Sequence, residues 1–428
     1  MKKESGMKVQ HKLTYKHLFL IPIFLFLILP CKPVQAATQH YNVINFGANG
    51  KDKKSDSYAI QQALDQASED HKIVVTIPNG TYYISKTLYI QSNTTLKLSS
   101  KAVIKRMDSA LTKNMLRTTD TKHKSNTIGG YKLAHDISIT GGTWNGGNIN
   151  KAKSTSNLIY IGHSSNITIK NTSIKNCYGA HAIELAGVKN GTIRNCKITG
   201  FRYESDMFTS EAIQVDICYK SKREGQWTPG FKADKTGSYN ILIEKNTITD
   251  YPRGIGVHHN LKGHQVTNLT IRNNKFKRSS VSTQGKSVVG IFLMGVKKAT
   301  ISNNTFDHYY YGAMIKQSQK ISVKNNSFKY NPSGNLIIEG CDQNNGRHTF
   351  LVTSDDIGKK KFSFTCGNIE SGTVTTGGYT YHFNQKGNVT LTLMNKIQVN
   401  QQVSFYGKDK YNNEYYRTYY VPKQKKKK

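Results

Sequence analysis

Acidic residues are scarce in this chain of 428 residues: 26 Asp and Glu stand against 61 Lys and Arg, for a formal charge of +35. A field of one sign concentrates oppositely charged polymers around the molecule, which points to an anionic partner without naming it. The basic residues are spread along the chain with no nucleic-acid reading motif, so a nucleic-acid partner is not expected. Proline is rare, at 8 residues, and with 36% hydrophobic residues the chain can bury a sizeable core and is not a disordered polymer. Long apolar runs are missing too. The single one, Leu18 to Pro30, is short for a bilayer and follows Lys2, Lys3, Lys8, Lys12 and Lys16. It excludes an integral membrane protein and reads as a secretory signal peptide, with cleavage placed after Ala36. Pro30 ahead of Cys31 departs from the small residue that lipid attachment requires. Loss of residues 1–36 removes six Lys and one Glu and leaves a charge of about +30.

Cysteine is also sparse. Cys177, Cys196, Cys218, Cys341 and Cys366 follow the leader, an odd number with no Cys-x-x-Cys pair. That argues against a disulfide scaffold and a zinc site, and neither metal nor cofactor is expected. Free buried thiols are the default. Cys177 and Cys196 each follow an Asn in consecutive repeats and are expected to stack inside the fold.

What is abundant is repetition. Ile169-Lys-Asn-Thr-Ser-Ile174, Ile193-Arg-Asn-Cys-Lys-Ile198, Ile271-Arg-Asn-Asn-Lys-Phe276, Ile301-Ser-Asn-Asn-Thr-Phe306 and Val323-Lys-Asn-Asn-Ser-Phe328 share one form. With Ile243 to Ile248, the unit returns every 22 to 30 residues apart from one gap of 50. Each unit is a short alternating strand, an Asn bend that tolerates left-handed backbone, and another short strand. A unit of this kind cannot bury its own apolar face, so units must stack and their strands form long parallel sheets. Leucine-rich repeats and propeller blades do not fit, and the expected fold is all-β: a right-handed parallel β-helix.

Ahead of the repeats, Phe46-Gly-Ala-Asn-Gly50 precedes a helix opened by Ser55 or Asp56, with Ala59, Ile60, Ala63, Leu64 and Ala67 on one stripe. Such a helix suits the task of covering the open end of a solenoid. The opening, continued by Ile77-Pro-Asn-Gly80 and Asn93 to Leu98, resembles that of the pectate lyase and polygalacturonase superfamily of secreted β-helix proteins, especially its less-characterised bacterial branch. The resemblance runs from about Tyr41 to Gly340 and implies a β-helix and polysaccharide as partner. After Arg347 the texture changes to alternating strands, and residues 346–422 are expected to form a small Ig-like β-sandwich of about seven strands. The domain plan is therefore a signal peptide over 1–36, a β-helix over 37–345, the sandwich over 346–422 and a polybasic tail over 423–428, which could cling to anionic wall polymers.

Positions one coil apart lie about 4.8 Å from each other, so columns can be read from sequence. The inward pairs Ile183/Leu185, Ile213/Val215, Ile255/Val257, Ile291/Leu293, Ala313/Ile315 and Leu336/Ile338 turn Glu184, Gln214, Gly256, Phe292, Met314 and Ile337 outward. The next outward column is Ala186, Asp216, His258, Met294, Lys316 and Glu339. This gathers Glu184, Asp216 and His258 as candidate catalytic groups, with Glu211 beside them, and Gly254 and Gly256 leaving room for a sugar ring. Candidate binding residues are His181, Gln214, Arg253, Gly256, Trp227, Lys316 and Glu339. His181 and Glu211 could equally cap a turn, Arg253 could clamp an anion or form an ion pair, and Trp227 could stack on a sugar or pack its own loop. His259 is expected to turn inward or to bend the chain, and to meet a backbone carbonyl.

Carboxylates and an imidazole on rigid strands suit acid/base cleavage of a glycosidic bond. The paired aspartates of polygalacturonases and the acidic calcium cluster of pectate lyases are both missing. What remains is a secreted enzyme cleaving an acidic extracellular polysaccharide, by hydrolysis or elimination. A non-catalytic polysaccharide-binding or adhesion protein is the alternative.

Overall fold

The computed structural model describes residues 37–422 except 108–113, 121, 124–125, 149–156, 203–209, 222–224, 227–230, 280–287, 330–335, 340–349, 368 and 410–413. The expected signal peptide and polybasic tail lie outside the described residues.

Successive coils wind into three parallel sheets. The first runs from Gln39–Asn42 to Ile321–Lys324, the second from Gly80–Ile84 to Ser327–Lys329, and the third from Leu88–Ile90 to Leu336–Glu339. One coil, for example, uses Thr267–Arg272, Lys275–Lys277 and Val289–Met294 in turn. Ile, Leu and Val from all three sheets fill the interior.

The Asn-Asn repeat is the corner between the first and second sheets, and its two residues do different work. The first takes the left-handed conformation: φ is 57° at Asn273, 55° at Asn303 and 54° at Asn325. Asn pays little for this backbone because its short polar side chain bonds locally. The second turns inward and reaches the next coil. Asn246 donates from its backbone N–H and from Nδ2 to Asn274 Oδ1, both at 3.0 Å. Asn274 repeats this on Asn304, and Asn304 on Asn326, again at 3.0 Å. Each Nδ2 also donates to a carbonyl of the preceding coil, such as Ile243 from Asn274. Beside this ladder Phe276, Phe306 and Phe328 stack with centroids 4.8 and 5.0 Å apart.

Cys196 and Cys177 are buried but do not stack on one another. Ser173 pairs with Lys197, which aligns Cys196 with Thr172. The backbone N–H of Cys196 donates to Asn246 Oδ1 at 2.9 Å, so Cys196 begins the carboxamide ladder. Cys177 lies beyond Lys175, the last residue of its second-sheet strand, at a different corner of the coil.

At the N-terminal end the helix Ser57–Leu64 buries Ala59, Ile60, Ala63 and Leu64. Asp56 stands at its N-cap, yet its carboxylate accepts from the N–H groups of Asn49 at 2.7 Å and Tyr83 at 3.2 Å. The cap residue thereby ties the glycine-rich opening to the second sheet. Gly50 and Gly80 pass so closely that a Cβ on Gly50 would lie 2.9 Å from the Gly80 Cα.

At the far end, described antiparallel strands from Leu351–Ser354 to Glu414–Tyr420 form a sandwich of a three-stranded and a four-stranded layer. The four-stranded layer is continuous with the third sheet: Glu414–Tyr420 runs parallel to Leu336–Glu339, with Ile337 opposite Tyr416. The buried apolar cluster likewise extends from Val43 to Val421 without a break. The sandwich thus closes the exposed strand edge of the last coil rather than hanging as a separate bead.

Asn274→Ala removes an acceptor used twice by Asn246 and a donor used by Asn304 Oδ1. A buried group left unsatisfied costs about 1–3 kcal/mol. The variant is expected to lose several kcal/mol in urea unfolding, whereas Asn268→Gly, in the exposed ladder with Asn240, keeps the left-handed turn and loses about 1 kcal/mol or less.

Candidate functional site

The third sheet presents three outward columns of side chains where the coils of Ile183–Ala186, Glu211–Cys218 and Arg253–Val257 meet. Glu184 stands opposite Gln214 and Ala186 opposite Asp216. Glu211 stands opposite Arg253, and Gln214 opposite Gly256. His181 occupies the Glu211 position one coil earlier, and His258 follows the end of the third strand.

Burial sorts these groups into two layers. Glu184, Glu211, Gln214 and Asp216 are buried although they point away from the helix interior. The side chains that reach solvent are His258, His181 and Arg253, at 18%, 17% and 11% exposure. The expectation that Glu184 and Asp216 form an open groove floor is therefore corrected: the carboxylates lie beneath a basic surface.

Glu211 is the hub. Its Oε1 lies 3.2 Å from His258 Nδ1 and 3.1 Å from an Arg253 guanidinium nitrogen. Its Oε2 lies 3.2 Å from His181 Nδ1. Burial pushes this carboxyl up, but His258, His181 and Arg253 outweigh burial and bring it down to about 2. The two imidazoles respond in opposite directions. Burial lowers His181, with Glu211 opposing incompletely. Burial also works against a charged His258, yet the Glu211 carboxylate overcomes it and raises that ring. The ring centroids are 6.4 Å apart.

His181 Nδ1 is 3.2 Å from both the carbonyl and the N–H of Glu211. The carbonyl and the carboxylate call for a proton on Nδ1, whereas the Glu211 N–H calls for a lone pair there, so each tautomer finds a partner at this atom.

Asp216 is held separately. Its Oδ1 accepts from the Ile217 N–H at 2.7 Å and faces His259 Nδ1 at 2.6 Å, while Oδ2 accepts from Gln214 Nε2 at 2.7 Å. His259 therefore meets a carboxylate rather than the expected backbone carbonyl. Gln214 Nε2 is also 3.0 Å from His258 Nε2, which links the Asp216 group to the Glu211 group. The Asp216 carboxylate fixes the amide nitrogen at this position, where it faces the lone pair of a His258 Nε2 that accepts. Glu184 accepts from Asn157 Nδ2. Burial, then the charge of Asp216, hold its carboxyl well above the ordinary value, against the pull of Asn157.

Asp216, His258 and His259 bring their donor atoms within 4.8 Å of one another, a set of the type that takes a divalent cation. Here these atoms are engaged with each other, with Gln214 and with Glu211.

The two glycines do not make room for a sugar. A Cβ on Gly256 would lie 2.2 Å from Glu211 Cγ, and one on Gly254 would lie 2.4 Å from the Phe276 ring. Gly256 seats the hub carboxylate and Gly254 seats an interior phenylalanine. Arg253 carries its guanidinium 4.2 Å above the Phe292 ring, and Phe292 packs with Val289, Tyr311 and Met314. Lys316 stands two coils beyond the His258 strand and Glu339 three, so neither joins the cluster. Trp227 and the side chain of Glu339 lie outside the described residues.

Sequence reading passed over Asn157 and Tyr160. Tyr160 sits opposite Glu184, and its Ile159-Tyr-Ile161 setting would have extended the column one coil upstream. Asn157 precedes that strand as His181 precedes the next.

A carboxyl depressed in the folded state stabilises the protein above its unfolded value, and that contribution disappears as pH falls towards the folded value. For Glu211 the window runs from about 4.5 down to about 2. Glu211→Gln is expected to be less stable by a few kcal/mol at pH 7, with the deficit narrowing across that window in urea titrations. In the same variant the His258 ring, followed by NMR, should titrate lower than in the parent.

Three family models match in succession: Rhamnogalacturonase A/epimerase, pectate lyase-like, over residues 40–140; right handed beta helix region, over 136–288; and Periplasmic copper-binding protein (NosD), over 234–346. Plasmin and fibronectin-binding protein A of Streptococcus pneumoniae is 27% identical over 69% of this chain and 43% of its own length. Iota-carrageenase of Alteromonas macleodii is 24% identical over 51% of this chain and 37% of its own length. The chain thus spans less than half the length of both curated relatives. Among solved structures, the Streptococcus pneumoniae surface protein and adhesin PfbA superposes with a TM-score of 0.54 at 22% identity, covering 71% of this chain and 90% of that one. The coil-by-coil register and the family models agree: this is a right-handed parallel β-helix protein resembling the pectate lyase-like superfamily.

Proposed function

We propose that the chain is an extracellular enzyme that cleaves an acidic polysaccharide by proton transfer between substrate and the imidazoles of His181 and His258. The observation that carries this reading is the sharing of one buried carboxylate, Glu211, by two solvent-touching rings whose proton affinities are displaced in opposite directions. Groups with pKa values driven apart by their surroundings are suited to donating and accepting a proton at one pH.

His258, charged by Glu211, donates from Nε2 to the departing glycosidic oxygen. His181, kept neutral by burial, accepts at Nε2 a proton from water or from the sugar carbon beside an acidic group, in the tautomer whose Nδ1–H faces the Glu211 carboxylate. Arg253, stacked on Phe292, faces the substrate's negative charge, which makes uronate or sulfate-bearing sugars the favoured class. Glu211, Gln214, Asp216 and Glu184 act as positioning residues beneath these three. In donating, His258 turns Nε2 from the Gln214 amide towards substrate, and Asp216 keeps Gln214, the Ile217 N–H and His259 as partners.

A second reading, a polysaccharide-binding or adhesion protein at the cell surface, is favoured by the printed name of the streptococcal relative and by the burial of all three carboxylates.

The protein should release fragments from at least one member of a panel of uronate, sulfated and neutral polysaccharides. Reducing ends without ultraviolet absorbance indicate hydrolysis, and both together indicate elimination. His258→Gln is expected to lower the rate by at least 10²-fold, in the range general acid–base groups supply. Binding across the panel with no product from the parent protein would move the assignment to the adhesin.

The Asp216, His258 and His259 atoms are satisfied by hydrogen bonds, so exhaustive chelation is expected to leave activity intact. Loss on chelation with recovery on adding a divalent cation would recast His258 as a ligand.

A further inference from the structure

We infer that the edge between the first and second sheets is a second polyanion-binding surface, built to hold a linear acidic polysaccharide lengthwise along the stack of coils. It is separate from the third-sheet cluster and does not rest on the reading given to that cluster.

Register carries the argument. In the leading column of the second sheet, Ser173, Lys197, Thr247, Lys275, Thr305 and Ser327 succeed one another coil by coil. Hydroxyl and ammonium alternate over the middle of that column, which puts Lys197 and Lys275 two coils, roughly 10 Å, apart with Thr247 between them. The last column of the first sheet runs beside it and contributes Lys170, Arg194, Arg272 and Lys324. On the other flank stand Lys175, Lys277 and Lys329.

Acidic residues enter these columns at Glu244 and Asp307. Glu244 is buried and bonded to Arg272 at 2.8 Å, and Asp307 lies 2.6 Å from His308 Nδ1. Lys175, Arg194, Lys197, Lys275, Lys277 and Lys324 are exposed. Like charges a coil or two apart repel in the free protein. A polyanion laid across them relieves that repulsion and releases its own counterions.

Alternating hydroxyls and cations fit a polymer whose acidic groups are separated by uncharged, hydroxyl-bearing units. A single-stranded polynucleotide instead carries a charge on every unit and is held by aromatic platforms, and these columns contain no aromatic side chain. An acidic polysaccharide is therefore the favoured occupant.

The test compares the full chain with the triple variant Lys197→Gln/Lys275→Gln/Lys277→Gln, with His258→Gln, and with a form lacking residues 423–428. Binding to hyaluronan and unsulfated chondroitin, in which uronate and uncharged sugar alternate, and to single-stranded polynucleotide is measured across a salt series. The triple variant is expected to bind the two polysaccharides about tenfold or more weakly with a shallower salt slope. Its thermal unfolding and the NMR titration of His258 should match the parent. His258→Gln and the tail-less form should bind as the parent does, so a failure of the third-sheet reading leaves this result untouched. Unchanged binding by the triple variant, loss of binding on tail removal alone, or tighter binding of polynucleotide than of either polysaccharide would each overturn the assignment.

Discussion

The line of buried carboxamides from Asn246 through Asn274 and Asn304 to Asn326 holds each coil at a fixed height and rotation relative to the next. An amide side chain can accept from the coil before it while donating to the coil after it and to a carbonyl of the coil before, as Asn274 does. Inside a dry core such bonds must be complete, because an unmatched amide there is more costly than an apolar side chain in its place. The ladder therefore specifies register as well as contributing stability. A slip of one residue would break every rung and turn each inward Ile outward. All that follows on the outer faces, column upon column, depends on this alignment.

The third-sheet cluster shows what the alignment permits. Glu211, His181 and Arg253 come from three different coils, yet each is delivered to within 3.2 Å of its partner by strand pairing alone. Placing a carboxylate in a buried position is expensive unless cations compensate it. Here the Arg253 guanidinium and the His258 ring do so, and in return the carboxylate raises the proton affinity of His258. Gly256 belongs to the same construction, since any side chain at that position would displace Glu211.

Much of this was legible in the sequence because the inward Ile and Val pairs set the phase of each strand, and phase determines which side chains share a column. Glu184, Gln214, Asp216 and their neighbours accordingly stand where alternation places them. Alternation states the direction of a Cβ but not what covers it. Glu184 and Asp216 were therefore expected at an open floor, and they are instead enclosed by Asn157 on one side and His259 with Gln214 on the other. Gly254 misled for a related reason: its missing side chain relieves the interior, where Phe276 needs the space. Cys177 and Cys196 share an Asn before them, but one Asn-Cys pair falls at the corner between first and second sheets and the other one corner later, a distinction that dipeptide composition cannot carry.

A solenoid with three long faces can also separate opposing electrostatic demands. The buried acids and the His258 ring that Glu211 charges lie on the third sheet, whereas the ladder of Lys and Arg lies along the corner shared by the first two. If both sets shared one face, the excess cations would pull Glu211 and Asp216 into surface ion pairs, and the field that raises His258 would be lost. Keeping them on different faces leaves the row of cations on one exposed to solvent and salt while a few strongly coupled groups stay shielded on the other. The same few ångströms between coils set the pitch of both surfaces.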